Sequence, residues 1–272
     1  TAGDDEYKML EHLKKGIRPW PQRPLGEDGW QAILAPELHG PVGDLAAELA
    51  RLAPDAFTQS PKSLGLKKKE FVSLDSELYL AGMLRRVHGA LSLSAPGLYI
   101  RKGSMEPAHL APSSPPALVV GQNNSMTQTV DASMSRFLLG YQLSFMRPEL
   151  FLTGLYPGEQ LRELLMGLCV VYNRSLGGAE HAGVAKWASH FEKIPGEVLR
   201  ALQEPARRAY SHLLSPEPTA GLAKAAHLSA ARAGLLLAGE LGPALRGLQI
   251  MPATAPGLSP ELRLLELTRF AG

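Results

Sequence analysis

A helix can hold a zinc ion when two histidines stand four residues apart on one face, and a glutamate beside the first can take a proton from the metal-bound water. The stretch RFLLGYQLSFMRPEL, residues 136–150, has that periodicity with other residues in the key places: Tyr141, Gln142, Leu143, Ser144 and Phe145. The other candidate ligands and nucleophiles are scattered. His181, His190 and His212 are spaced by nine and twenty-two residues, so they do not repeat at the four-residue interval that puts two imidazoles on one helical face. Glu180-His181 reads as capping at a helix start, and His88 as a helix-end histidine favoured by the dipole. Cys169, the single cysteine, lies in LLMGLCVVY, where Leu and Val offer nothing to stabilise a thiolate. It is expected to be a buried small hydrophobe. The chain has no glycine-rich phosphate loop after a strand, no G-x-S-x-G elbow and no Cys/His spacing of zinc-finger type.

The elements that must position these residues follow from periodicity. Met134, Phe137, Leu138, Tyr141 and Phe145 recur at intervals of three and four, which predicts a helix over about 130–147 with those side chains on a buried face. Upstream, GLYIRKG (97–103) and PALVVGQ (116–122) are rich in β-formers and are expected as paired strands joined by a long Pro- and Ser-laden loop. Further helices are expected at 43–53, 74–91, 158–172, 180–191, 195–213 and 219–239, with a last one after Pro260. Residues 16–43 carry five prolines and several glycines, so they should be turns and short helices, with Trp20 and Trp30 as anchors. Residues 1–60 are accordingly expected to be a segment that wraps the same body. No repeat of fixed period appears, which argues against a solenoid.

Composition narrows the classes. Leu and Ala dominate while Ile and aromatics are scarce, which favours helix over sheet. The expected fold class is α+β, predominantly helical, with a small sheet or hairpin. A formal charge of +2 with mixed signs does not announce a nucleic-acid partner, and Lys67-Lys68-Lys69, followed at once by Glu70, reads as a solvated cluster. No apolar run approaches the roughly 18 residues of a membrane span, so no membrane insertion is expected. One cysteine and an acidic, polar start point to a reducing, cytoplasmic setting. Because the first residue is Thr rather than Met, the chain is expected to belong to a longer one.

A pair of strands, then the helix of Tyr141, then a second helix reading AKAAHLSAARAGLLLAGELGPAL from 223 to 245 form an order that resembles the HtpX-like zinc metallopeptidases, of the HExxH gluzincin type. In that family an edge strand precedes the HExxH helix, and a later helix supplies a third ligand in a Glu-x-x-Ala-Asp-Arg pattern. Here that pattern reads His227, Leu228, Ser229, Ala230, Ala231, Arg232, and RAGLLLAGEL (232–241) is the most specific match. The resemblance covers about 95–248 and implies a zincin-like helical body within a peptidase-like domain over 61–272. It places Tyr141 where the first zinc histidine belongs, Gln142 at the catalytic glutamate, Phe145 at the second histidine, His227 at the ligating glutamate and Ala231 at the supporting aspartate.

Each of those replacements removes chemistry. Phenylalanine has no lone pair, a phenol titrates only near pH 10, and a glutamine amide cannot act as general base near neutrality. One remaining imidazole does not hold zinc. The expectation is therefore a site without metal, cofactor or hydrolysis, its volume filled by rings, with Tyr141 facing His227. His227, Ala231, Gly234 and Ala238 form a mostly small stripe that would admit a close helix. The resemblance implies a pseudoenzyme acting as a protein-binding scaffold or adaptor in a bacterial cytoplasmic assembly, as in degenerate domains at the end of helical-repeat chains. The alternative is an active hydrolase with relocated ligands. The expected partner is a protein, and the strand edge at Tyr99, Ile100, Arg101 and Lys102 is where an extended peptide would add.

Overall fold

The computed structural model describes residues 20–21, 23–105, 108–123, 131–156, 158–176, 180–251 and 258–271. The first 19 residues of the expected wrapping segment, and Val130 at the expected start of the Tyr141 helix, lie outside the described residues. Where the chain is described, a predominantly helical body carries a small mixed sheet of four strands.

The early segment joins the main core. Helix α1 (Glu27–Ile33) opens on two acidic residues that suit the positive end of its dipole, and it buries Trp30 and Ile33. The Trp30 indole donates to the carbonyl of Leu91 at 3.0 Å, which satisfies its one polar atom. Helix α2 (Pro41–Leu52) starts with proline in its first turn and turns Val42, Leu45, Ala46 and Leu49 inward. These side chains belong to one apolar cluster running from Trp30 to Leu267.

The sheet comprises β1 (Phe71–Val72), β2 (Gly97–Arg101), β3 (His109–Ala111) and β4 (Ala117–Gly121), in the order β1-β2-β4-β3. Strand β4 is buried throughout, as its run of Ala, Leu and Val requires. Helix α3 (Tyr79–Ala90) lies between β1 and β2 in sequence and buries Leu80, Met83, Leu84 and Val87. The expected pairing of the two β-rich runs is present, but it is parallel, from Gly97↔Ala117 to Arg101↔Gly121. The segment between them is no plain loop, because it contributes β3 to the far side of β4.

The expected free edge at Tyr99–Lys102 is covered at its first residue. Strand β1 lies antiparallel against β2, with Phe71 opposite Tyr99 and Val72 opposite Leu98. Strand β2 is therefore interior at Leu98 and Tyr99, while β1 does not extend to Ile100 and Arg101, and Lys102 lies in the turn after the strand, where the carbonyl of Arg101 accepts from Gln122 at 2.9 Å. Such short strands carry no sequence mark of which neighbour they will take.

Seven described helices follow the sheet before the last one. They are α4 (Ala132–Ser144), α5 (Pro148–Leu155), α6 (Glu159–Tyr172), α7 (Ala182–Phe191), α8 (Gly196–Ala209), α9 (Glu217–Ala238) and α10 (Leu241–Ile250); α11 (Pro260–Ala271) completes the chain. Several boundaries differ from expectation; the helix expected over 74–91 begins at Tyr79, and the one expected over 195–213 ends at Ala209. The expected helix over 130–147 ends at Ser144, and α5 begins separately behind Pro148, a residue that cannot continue a helix but can start one. The helix read through 223–245 stops at Ala238, because Gly239 takes a left-handed φ of 70° and its N–H closes on Leu235.

Helices α4 and α9 form the most extensive contact of the fold. A methyl group on Gly140 would stand 3.1 Å from the Gly234 Cα, and one on Gly234 would stand 2.7 Å from the Phe137 carbonyl oxygen. Only bare backbone permits that approach. Cys169 is buried on α6, where its thiol meets the Ala206 carbonyl at 3.5 Å and burial pushes its pKa up to about 12. The lysines at 67–69 are exposed. Among the described residues no helix is long and apolar enough to cross a membrane.

Candidate functional site

The close crossing of α4 and α9 sets the geometry at Tyr141. One turn along α4 from Phe137, the Tyr141 ring emerges against α9, and its hydroxyl shares a hydrogen bond with Nδ1 of His227. The two rings stack with centroids 6.0 Å apart. Phe145, just past the end of α4, closes the cluster edge-on to both, at 5.6 Å from Tyr141 and 5.2 Å from His227. Its own ring rests on Gly154 of α5, where a methyl group would come within 2.7 Å of Cδ1. Three of the residues singled out from sequence therefore meet in one cluster, with His227 brought from a distant part of the chain to Tyr141 and Phe145.

Ala231, one turn beyond His227, is buried in the same core, whereas Gln142 is half-exposed. Around them α9 is tied to the early segment. Ser229 Oγ accepts from the Ala35 N–H at 2.8 Å and donates to the Ala225 carbonyl, and Arg232 donates to the Ile33 carbonyl at 3.1 Å.

The electrostatics are those of a closed interior. Burial lowers the His227 pKa to about 4, and the positive charge of Arg263, itself buried on α11, adds to the effect. The imidazole is neutral at pH 7.

The zinc implied by the resemblance does not fit these residues. The side chains at the three ligand positions are a phenol, a phenyl ring and one imidazole, whose Nδ1 is already engaged by that phenol. Phenylalanine at 145 fills space without offering a donor, and glutamine at 142 offers no base. Among the described residues, no three His, Cys, Asp or Glu side chains converge in a way that could hold a metal ion. What this arrangement does is pack, stack and satisfy its own polar atoms. The strand residues Tyr99, Ile100, Arg101 and Lys102 do not contribute to it, and Tyr99 instead stacks edge-on to Phe71 at 5.5 Å.

Sequence reasoning missed a second place on the same helix. A half-open pocket of about 320 Å³ lies between α3 and the start of α4, with Trp20, Ser76, Tyr79, Arg85, Arg86 and Arg136 among its walls. Its residues are separated by tens of positions, so no short motif announces it. The available signal was Arg136 itself, a charge in an otherwise apolar helical stretch, since a buried arginine requires compensation.

No family model, no curated protein and no solved structure matches the chain.

Proposed function

We propose that this chain is a non-catalytic module with a zincin-like, peptidase-derived body, which serves as a protein-binding scaffold or adaptor in a bacterial cytoplasmic assembly. The observation that carries this reading is the contact of Tyr141 with His227 beneath Phe145: the positions that the resemblance assigns to metal ligands pair with one another in a solvent-excluded cluster. A ring buried there contributes roughly 2 kcal/mol of apolar burial, and the shared hydrogen bond removes the cost of two buried polar atoms. The former site then acts as core, and the module works through its surface.

A reversion experiment tests this. The unaltered protein and a variant carrying Tyr141→His, Gln142→Glu, Phe145→His and His227→Glu are purified, checked for folding by circular dichroism and analysed for zinc. One equivalent of zinc in the folded variant and none in the unaltered chain is the expected result. A folded variant that takes up no zinc removes the peptidase ancestry. Casein hydrolysis by the unaltered chain that a chelator abolishes would instead establish a hydrolase with relocated ligands. The adaptor role is tested by calorimetry with a purified candidate protein partner, for which saturable one-to-one binding is expected.

A further inference from the structure

Several exposed arginines bring an acid with them: Arg51, Arg207 and Arg269 each pair with the glutamate three residues earlier, Glu48, Glu204 and Glu266. The lysines beside the sheet do not. Lys67, Lys68 and Lys69 are exposed and form no ion pair among the described residues, and the acid that follows them, Glu70, turns its carboxylate to the Lys67 N–H at 3.1 Å.

The fold holds this run in place. Leu66, 6% exposed, packs with Ala111, Ala117 and Val119 on the face of the sheet turned away from the main core, and Leu64 rests on the same cluster. Beyond it Lys68–Glu70 form one 3₁₀ turn that leads into β1 at Phe71. Because Phe71 lies opposite Tyr99 and the turn packs against β2, the lysines stand at the same end of that strand as exposed Lys102. Apolar surface adjoins them. Phe71 is 50% exposed, with its ring edge-on to Tyr99 at 5.5 Å.

Lysine rather than arginine decides among anionic partners. Arginine forks suit single phosphates and carboxylates and are enriched in protein interfaces, from which lysine is depleted. A diffuse anionic plane makes no such demand: hydrated ammonium groups gain from its potential without fixed geometry, and an apolar ring beside them enters the headgroup layer.

We propose that this face of the sheet adsorbs to an anionic lipid bilayer, with Lys67, Lys68, Lys69 and Lys102 over the headgroups and Phe71 at the interface. The attachment is peripheral and reversible, since each lysine near such a surface adds only roughly fivefold to the affinity. It is distinct from the adaptor reading, because the face shares no residue with the Tyr141 cluster.

The test uses the intact chain in co-sedimentation with vesicles of phosphatidylcholine alone or with about one third phosphatidylglycerol, at roughly 0.1 M sodium chloride. We expect at least about tenfold tighter partitioning to the anionic vesicles, lost when salt is raised to about 0.5 M. Lys67→Gln, Lys68→Gln and Lys69→Gln together, all at exposed positions, are expected to weaken it about tenfold or more, and Phe71→Ser alone about threefold. Circular dichroism checks that both variants keep the helical signal. A control with the same loss of charge at exposed positions elsewhere, Lys186→Gln, Lys193→Gln and Arg200→Gln, is expected to bind within about twofold of the unaltered chain. Equal binding to neutral vesicles, an equal loss in the control, or no effect of Phe71→Ser overturns the proposal. So does tighter binding of a thymidine oligonucleotide or of polyglutamate than of the anionic vesicles.

Discussion

Arg136 and Tyr141 are five residues apart on α4, and both are nearly closed to solvent, at 5% and 2% exposure. Their surroundings are opposite. Tyr141 lies among the rings of Phe137, Phe145 and His227, and its hydroxyl is hydrogen-bonded to the histidine. Arg136 instead stands in the wall of a half-open pocket, its guanidinium 4.3 Å from the centroid of the Trp20 ring, with Tyr79 and Arg86 in the same wall. A polar group inside a protein stays there because it is paired or because something will pair with it. The first region is closed core, and the second borders a half-open pocket.

Glycine provides the sharpest contrast between them. At Gly234 an added methyl would meet the Phe137 carbonyl oxygen at 2.7 Å and its ring at 2.8 Å, so neither helix can yield without moving backbone. Gly234→Ala is expected to cost about 3 kcal/mol, read as a lowered midpoint in urea unfolding. At Gly82, in α3 beside the pocket, nothing lies closer than the Arg85 Nη2 at 4.0 Å. There Gly82→Ala is expected to stabilise by about 0.5–1 kcal/mol, because alanine is the better helix former and restricts the unfolded chain. Equal losses at the two glycines would erase the distinction between a filled region and an open one.

A pH experiment addresses the closed region alone. The His227 pKa is about 4 in the folded protein against about 6.5 when unfolded, so between those values the unfolded chain holds a proton that the native one lacks. Stability therefore falls as pH drops from 6.5 and is fully lost from this source below 4. The contribution is up to roughly 3 kcal/mol. His227→Gln should flatten the dependence of unfolding free energy on pH in that window, whatever it does to stability at neutrality. An unchanged slope would place the imidazole in contact with water.

Much of the closed region was legible because helical periodicity is local. The spacing of Phe137, Tyr141 and Phe145 marks one face, and the stripe of His227, Ala231 and Gly234 marks the face that meets it. What was not legible depended on distant partners or on single residues. Whether β2 would be an edge turned on a two-residue strand, Phe71–Val72, too short for any pattern. The end of the helix expected over 219–239 was legible from Gly239, whose left-handed backbone closes it after Ala238. The pocket gathers Trp20, Ser76, Arg86 and Arg136 from separate parts of the chain, and only folding brings them together.

Removing one oxygen tests whether the Tyr141 cluster is self-satisfied. Tyr141→Phe keeps the ring and its contacts but leaves the buried His227 Nδ1 without the tyrosine hydroxyl. A loss of about 2 kcal/mol in urea unfolding is expected, above the value of an exposed hydrogen bond because the remaining partner cannot turn to water. A change below about 0.5 kcal/mol would show that the hydroxyl contributes nothing net.

The smallest effect belongs to the open region and separates charge from packing. Arg86→Gln gives up a cation–aromatic contact at 6.0 Å, worth about 0.5 kcal/mol for an exposed side chain, and also relieves repulsion on buried Arg136. The two terms oppose each other, so stability should change by no more than about 0.5 kcal/mol at physiological ionic strength. Salt distinguishes them. Added salt screens the repulsion between the arginines, so the unaltered chain should gain more stability than the variant between roughly 0.01 and 0.5 M sodium chloride, because the screening length shortens severalfold over that range. A parallel response of the two proteins would mean that Arg86 and Arg136 do not feel each other.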